Sequence, residues 1–236
     1  MKDRPNWLFD EMKHAGVDYS DPAQVAVYDG RHQKFRDYQK DAEAIINTLK
    51  LGREHVVMDM GVGTGAFTLN AAPHCKTVYA VDVSPVMLDF TRRKAEKAGL
   101  NNIVFCHGGF LTYEHHLPAV DAVVSVAVLH HLPDFWKGVG LGRVAQMLKS
   151  GGRLYLFDVV FPAELVEYET RFTGWVGSMA KAVGADFAAE AETHIRDEYS
   201  TYDWVMEGLL NRAGFGIDNV EYANGFGATY LCTKVA

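Results

Sequence analysis

The spacing of apolar residues divides the chain into a helical leader and a long alternating segment. Between Arg31 and Leu51, apolar side chains recur every three or four residues, which predicts an amphipathic helix. From residue 53 onward, short and nearly continuous apolar runs alternate with helical stretches. Such runs are typical of strands that are buried on both faces. Five of them are predicted strands: Val56–Met60, Thr77–Val81, Ile103–His107, Ala122–Ala127 and Arg153–Val159.

Helix signals lie between these strands. Ser84 followed by Pro85 predicts a helix start, because a serine side chain caps the first turn and proline lacks only an N–H that this turn leaves unbonded. This helix should extend to Gly99, and another should run from Asp134 to Leu148. The regular alternation of strands and helices predicts a doubly wound α/β sheet of parallel strands.

The last third of the chain departs from this alternation. Residues 162–200 have a helical pattern and are too many for a simple connection, which predicts a structured insertion. A helix from Thr201 to Arg212 should follow. Two strand-like runs, Ile217–Ala223 and Ala228–Lys234, flank Asn224-Gly225, a dipeptide typical of tight hairpins. We therefore expect the parallel sheet to end in an antiparallel hairpin.

Composition narrows the functional classes. The 236 residues are 48% apolar and 22% charged, as in an ordinary protein with one sizeable core. The net charge of −7, without a long basic run, argues against a broad nucleic-acid surface. The three cysteines are far apart in sequence, which fits neither a disulfide framework nor a thiolate metal site. The N-terminus lacks a signal-peptide run and no stretch reaches membrane-spanning length, so we expect a cytoplasmic location.

A glycine-rich stretch marks the candidate ligand site. Residues 56–67 read VVMDMGVGTGAF, with Gly61, Gly63 and Gly65 placed where a buried strand turns into a helix. Glycine tolerates a positive φ, and its missing Cβ lets a ligand lie directly against the backbone. Ligands of open α/β sheets bind at this edge of the sheet. The stretch therefore predicts a small-molecule site and not a plain turn.

The loop by itself leaves the ligand undecided. Gly61, Gly63 and Ala66 also satisfy a dinucleotide fingerprint, and Asp82 ends the next predicted strand at about the spacing of 20 residues that this fingerprint requires. A carboxylate there would accept hydrogen bonds from ribose hydroxyls, a contact worth roughly 1.5–3 kcal/mol. Loop and acid together indicate an adenosine ligand. An NAD(P)-dependent oxidoreductase thus remains an alternative at this point.

Four segments in order resemble the class I S-adenosylmethionine-dependent methyltransferases, most of all the group that includes the ubiquinone/menaquinone C-methyltransferases. They are VMDMGVGTG at 57–65, VDVSPVML at 81–88, DAVVSVAVLHHL at 121–132 and LKSGGRL at 148–154. The likeness covers residues 54–161 and, more loosely, the closing helix and hairpin. It implies a Rossmann-like sheet of seven strands, and a methyl transfer from S-adenosylmethionine to a small molecule by in-line displacement, with S-adenosylhomocysteine as product. Residues 1–52 would then form a helical cap, 53–236 the cofactor-binding core, and 162–200 a lid inserted after the fifth strand.

The resemblance also implies roles for individual residues. The glycine loop would hold the amino-acid end of the cofactor and Asp82 its ribose. The family usually carries an acid after the third strand, near the adenine amino group, but here Gly109 stands at that place. This departure keeps a third hypothesis open, a cofactor-binding module without catalytic activity. The predicted cofactor-binding residues are Tyr28, Asp59, Gly61, Gly63, Gly65, Asp82, Val83, Met87, Gly109, Phe110 and Ser125.

Two histidines are the catalytic candidates. His130 and His131 follow the fourth strand, beside the expected methyl group, and either would serve as a general base if the acceptor must lose a proton. Local packing or hydrogen bonding is the alternative explanation. Because adjacent side chains point in different directions and no His or Cys follows at i+4, we predict no metal site. Candidate substrate contacts in the cap and lid are His32, Arg171, His194, Arg196 and Tyr199.

Overall fold

The computed structural model describes residues 5–13, 16, 25, 37–161, 167–223 and 226–235. Nine strands form in these ranges. Seven belong to one large sheet and two to a small one. In chain order they are β1 Val56–Met60, β2 Thr77–Asp82, β3 Ile103–His107, β4 Val120–Val126, β5 Leu148–Asp158, β6 Val160–Phe161, β7 Thr201–Tyr202, β8 Phe215–Ala223 and β9 Gly227–Lys234.

The large sheet has the strand order β3–β2–β1–β4–β5–β9–β8. Its first five strands are parallel, whereas β9 runs antiparallel to both β5 and β8. The order of the strands reverses between β1 and β4, which are neighbours in the sheet. A crevice forms outside the carboxyl ends of the strands at such a reversal, so the topology by itself locates a ligand site there.

Helices cover both faces of this sheet. They are α1 Tyr38–Leu49, α2 Thr68–Ala71, α3 Pro85–Lys97, α4 Asp134–Met147, α5 Tyr168–Ala182, α6 Ala185–Asp197 and α7 Asp203–Arg212, with short single-turn helices at Ala72–His74 and Leu129–His131. The Ser84 side chain caps α3 by accepting a hydrogen bond from the Met87 N–H at 3.3 Å, as the sequence predicts. Asp37 caps α1 in the same way through the Lys40 N–H.

Alternating residues of β1 enter two separate apolar cores. Val57 packs with Ile45 and Ile46 of α1 on one face, whereas Met58 packs with Leu141 of α4 on the other. This alternation is the two-residue period of a strand, here with apolar side chains in both directions. It accounts for the nearly continuous apolar runs in the sequence.

The architecture confirms the predicted mostly parallel sheet with a C-terminal antiparallel hairpin. Several predicted boundaries are wrong by a few residues. The helix predicted from Thr201 begins at Asp203, because Thr201 and Tyr202 instead pair in parallel with β6. Strand β5 begins at Leu148 and not at Arg153, since Leu148 already pairs with Val120 before a register shift.

Some predictions fall outside the described residues. They include residues 1–4, 14–15, 17–24 and 26–36 of the predicted cap and the hairpin dipeptide Asn224-Gly225, so the division into cap, core and lid stays a prediction. Within the described part of the insertion, α5 and α6 pack against each other, and no residue of α5 is fully buried. None of the helices in the described ranges combines the length and the apolar character needed to cross a bilayer.

Candidate functional site

A cleft of about 190 Å³ opens at the carboxyl ends of β1, β2 and β4, at the reversal of strand order. Its walls come from six parts of the chain: the N-terminal segment with Glu11 and Lys13, the first two turns of α1, the glycine loop after β1, residues 82–84 and Met87 after β2, residues 108–110 after β3, and residues 126–128 with His131 and Leu132 after β4. Because these segments are distant in sequence, only the fold brings them together.

The three loop glycines all have positive φ, with values of 87° at Gly61, 50° at Gly63 and 85° at Gly65. They differ in what a Cβ would meet. At Gly61 it would lie 2.3 Å from the Val128 side chain, and at Gly65 2.6 Å from Thr91, so packing within the protein requires both glycines. At Gly63 nothing lies within 4 Å. Gly63 is therefore the position where the missing side chain leaves bare backbone toward open space.

Two buried carboxylates lie beside this loop. Asp82 accepts hydrogen bonds from the Gly63 N–H and the Ser84 N–H, both at 2.8 Å, which fixes its orientation at the end of β2. Asp59, at the end of β1, accepts a hydrogen bond of 2.6 Å from the Thr68 hydroxyl. Burial, and to a lesser extent the charge of Asp82, raises the pKa of Asp59 to about 7. The pair thus makes a negatively charged end of the cleft that favours a cationic ligand group.

A third carboxylate reaches the cleft from the N-terminal segment. Both oxygens of Glu11 accept the Leu111 N–H at 3.0 Å, and a Cβ at Gly109 would lie only 2.6 Å from Glu11 Oε2. Burial raises the pKa of Glu11. The sequence analysis missed Glu11. Gly109, which stands where the family usually carries an acid, was the one indication that a carboxylate comes from elsewhere. It did not identify Glu11, because a contact between residues 100 positions apart leaves no local pattern in the sequence.

His130 is held by an aspartate at the end of β5. Asp158 accepts hydrogen bonds from the Leu129 N–H at 2.7 Å, from the His130 N–H at 3.2 Å and from His130 Nδ1 at 2.5 Å. Burial by itself would lower the pKa of His130, but the carboxylates of Asp158 and Glu198 raise it overall. His131, which lines the cleft, differs: burial and its charged neighbour His130 lower its pKa to about 4.

The insertion meets the core at these histidines. Glu198, with a side chain only 3% exposed, forms an ion pair with His194 Nδ1 and lies 3.5 Å from His130 Nε2. Nitrogen and oxygen atoms of His130, His131 and Glu198 all lie within 4.8 Å of one another. The sequence argument against a metal site considered only neighbours along the chain, and the fold supplies Glu198 from a distance.

The structure divides the predicted site residues into three groups. Asp59, Gly61, Gly63, Asp82, Val83, Met87, Gly109, Phe110 and His131 line the cleft. Gly65 and Ser125 do not: Gly65 packs against Thr91, and Ser125 is fully buried within β4. Tyr28 and His32 lie outside the described residues.

The predicted substrate contacts of the insertion are likewise separated. Arg171 and Arg196 are partly exposed and pair with Glu167 and Asp197 of their own segment, so neither lines the cleft. His194 joins the histidine cluster. The Tyr199 ring packs edge-on against Phe9 at 6.2 Å, and its N–H donates to the His130 carbonyl at 2.8 Å.

One residue of the cleft wall has a strained backbone. Ala127 has φ 58°, and of the described non-glycine residues only Lys50 shares a positive φ. Its N–H donates to the Phe157 carbonyl at 2.8 Å, which holds the turn after β4 in place. Left-handed backbone at a residue with a Cβ is unfavourable and is found preferentially at functional sites.

Comparison with known proteins finds a methyltransferase domain within this chain. A family model described as a methyltransferase domain matches residues 57–152. An uncharacterised methyltransferase of Geobacillus sp. is 31% identical over 133 residues, 56% of this chain and 61% of that relative, which is less than two thirds of its length. Another, from Anoxybacillus flavithermus, is 29% identical over 192 residues, 81% of this chain and 84% of the relative.

The fold agrees with this match. The crystal structure of an S-adenosylmethionine-dependent methyltransferase from Clostridium acetobutylicum superposes with a TM-score of 0.68 at 15% identity, covering 91% of this chain and 98% of the other. Residues 57–152 are therefore a methyltransferase domain, and the chain has the fold of class I S-adenosylmethionine-dependent methyltransferases. The relation to the ubiquinone/menaquinone group stays a prediction.

Proposed function

We propose that the protein transfers the methyl group of S-adenosylmethionine to a small-molecule acceptor that binds between the cleft and the insertion. The observation that carries the proposal is the contact of Glu198 and His194 with His130, next to the His131 that lines the cleft. These contacts bring the end of the insertion next to a residue that lines the cleft. An acceptor site enclosed between them would suit a metabolite better than a macromolecular surface.

The cleft fits the cofactor at its charged end. The cofactor supplies an electrophilic methyl group on a sulfonium, and its amino-acid part carries an ammonium. Asp59 and Asp82 offer negative charge next to the bare backbone of Gly63. Asp82 fits either ligand, but negative charge on Asp59 beside the glycine loop would repel a dinucleotide pyrophosphate, which speaks against the oxidoreductase alternative. Asp82, already oriented by two N–H donors, would bind the ribose hydroxyls.

The opposite end of the cleft suits an adenine ring. Val83, Met87 and Phe110 provide apolar walls, and the Glu11 carboxylate stands against Gly109. A carboxylate accepts hydrogen bonds from an exocyclic amino group such as that of adenine. We infer that Glu11 supplies the acid that the family usually carries at the position of Gly109.

Positioning is the main contribution expected of the protein to the reaction. Holding two reactants in a productive orientation can remove roughly 7–11 kcal/mol of the barrier. His131 lines the cleft beside the insertion, and its lowered pKa of about 4 keeps the ring neutral at pH 7. His130 is tied to Asp158 and is better suited to positioning its neighbour.

The proposal is tested by a screen of acceptors. Phenols, thiols, amines and quinone precursors are incubated with the enzyme and S-adenosylmethionine, and formation of S-adenosylhomocysteine and of the methylated product is measured. We expect turnover with at least one class, and its loss in Asp82→Asn. Product formed only on added protein or nucleic acid would contradict the proposed acceptor class. Cofactor binding without turnover on any acceptor would favour the non-catalytic alternative.

A further inference from the structure

We propose that His130, His131 and Glu198 form a binding site for a divalent transition-metal ion, of which Zn²⁺ is the representative. The three residues come from two separate parts of the chain, the turn after β4 and the end of the inserted helices. Their ligating atoms lie within 4.8 Å of one another, a separation that small side-chain adjustments can reduce to the spacing of ligands around one ion.

The kinds of ligand fit this ion. Two imidazoles and one carboxylate are a known protein ligand set for zinc in enzymes, where the ion keeps a further position open for water or substrate. Calcium and magnesium prefer oxygen ligands alone, so two histidines argue for a transition metal. His131 also lines the cleft, and an ion bound here would adjoin the space assigned to the acceptor.

A supporting residue is already in place behind the first histidine. Asp158 Oδ1 lies 2.5 Å from His130 Nδ1, and the other ring nitrogen of His130, Nε2, faces Glu198 at 3.5 Å. Histidine ligands of metals almost always donate the second ring N–H to a carboxylate or carbonyl, which fixes the orientation of the ring. Asp158 and His130 have this arrangement, with the carboxylate on Nδ1 and with Nε2 directed toward Glu198.

Charge provides an independent argument. The side chains of Asp158 and Glu198 are only 1% and 3% exposed, so two carboxylates are buried within one small cluster. Burying a carboxylate is unfavourable unless a cation compensates it. His130 and His194 pair with these two carboxylates, and the charge of buried Lys137, which contacts Asp134 and the Tyr199 carbonyl, also acts on Asp158. A divalent ion between His130 and Glu198 would take over this compensation with both imidazoles neutral.

Such an ion would join the insertion to the core. Glu198 follows α6, whereas both histidines belong to the core, so one coordination site would fix the lid over the methyl end of the cleft. This role rests on the proposed function, but the binding site does not, because metal binding is measured without cofactor or acceptor. Failure of either proposal can therefore be distinguished from failure of the other.

The first experiment uses the wild-type chain after treatment with a chelator. Titration with Zn²⁺ in a calorimeter should show one ion per chain, and Co²⁺ should give visible absorption bands that Zn²⁺ abolishes. Absence of a stoichiometric Zn²⁺ site in calorimetry together with absence of Co²⁺ bands would overturn the proposal, and neither measurement depends on a variant.

The second experiment assigns the site to these residues. Glu198→Gln and His131→Ala should each weaken Zn²⁺ binding at least tenfold, and Asp158→Asn should weaken it about 10- to 100-fold, as expected for the partner of a ligand. Asp197→Asn changes the exposed neighbour of Glu198, and His116→Ala removes an exposed histidine. Both controls should bind Zn²⁺ like wild type.

Circular dichroism and a cooperative thermal unfolding transition establish that each variant is folded. Undiminished Zn²⁺ affinity in folded Glu198→Gln and His131→Ala would overturn the assignment, as would an equal loss in the His116→Ala control. If one of the two variants does not fold, the other decides. If neither folds, the wild-type chain decides. Alkylation of its histidines should abolish the Co²⁺ bands that nitrogen and oxygen ligands produce. Bound Zn²⁺ should protect the same histidines from alkylation.

Discussion

The variant Gly63→Ala tests whether the loop needs a glycine for its backbone conformation or for space beside the cofactor. The wild-type residue has φ 50° and open space where a Cβ would stand. An added methyl group therefore meets no protein atom. It introduces only the strain of a left-handed backbone, roughly 1–2 kcal/mol, which for a chain of this size lowers the melting temperature by about 2–4 °C per kcal/mol.

The same methyl group would occupy space that we assign to the cofactor. We expect Gly63→Ala to bind S-adenosylhomocysteine at least tenfold more weakly, a change of about 1.4 kcal/mol, in isothermal titration calorimetry. Gly99→Ala is a matched control, since Gly99 has φ 69°, has equally open surroundings, and follows α3 away from the cleft. It should show a similar loss of thermal stability with unchanged affinity.

The comparison of the two variants decides the interpretation. Wild-type affinity in Gly63→Ala would refute the assignment of the loop to the cofactor. An equal loss of affinity in both variants would show that general destabilisation, and not the loop, explains the effect. Gly61→Ala gives no comparable information, because its Cβ would collide with Val128 within the protein.

Three further predictions concern the cleft. Glu11→Gln should bind S-adenosylhomocysteine several-fold more weakly, and should discriminate less against the inosine analogue, which lacks the amino group. Unchanged discrimination would contradict the binding of the adenine amino group by Glu11. A cationic ligand favours the ionised form of Asp59, whose pKa is raised to about 7. Affinity for S-adenosylhomocysteine should therefore fall up to tenfold per pH unit from pH 7 to 5.5 in wild type but not in Asp59→Asn. A flat pH profile in wild type would exclude this linkage. Phe9→Ala removes the ring that packs on Trp136 and Tyr199, and should release the N-terminal segment to proteolysis and weaken cofactor binding; full protection would contradict the anchoring role.

The sequence predicts correctly those strands and loops that a short run of neighbouring residues marks. The strand from Val56 to Met60 and that from Ile103 to His107 have the predicted boundaries, because each is a short apolar run ended by a polar or turn residue. The glycine loop and Asp82 were likewise recognisable. Their spacing along the chain is set by one strand–loop–helix–strand unit, which the sequence displays directly.

Contacts between distant segments left no such signal. Glu11 reaches Leu111, and Glu198 reaches His130, only because the folded chain closes over the edge of the sheet. Ala127 illustrates a different limit. Its left-handed backbone is imposed by the bond to Phe157 in the neighbouring strand, and alanine gives no indication of it in the sequence.

The predicted substrate contacts show why residue type by itself is a weak guide. Arg171 and Arg196 have the charge that a carboxylate substrate would require, but their side chains pair with acids one or four residues away. Helical neighbours four residues apart, such as Glu167 and Arg171, commonly form such pairs on a surface. His194, of equally polar character, lies within α6, and its ring contacts that of His130 at 4.5 Å.

The central claim is that the cleft holds an adenosyl cofactor whose ribose is bound by Asp82. Calorimetric titration with S-adenosylhomocysteine compares wild type with Asp82→Asn and with Asp89→Asn, which alters an exposed acid of α3. Loss of charge-assisted hydrogen bonds worth roughly 1.5–3 kcal/mol predicts affinity about 10- to 100-fold weaker in folded Asp82→Asn and unchanged in Asp89→Asn. Equal affinity in all three proteins would contradict the claim.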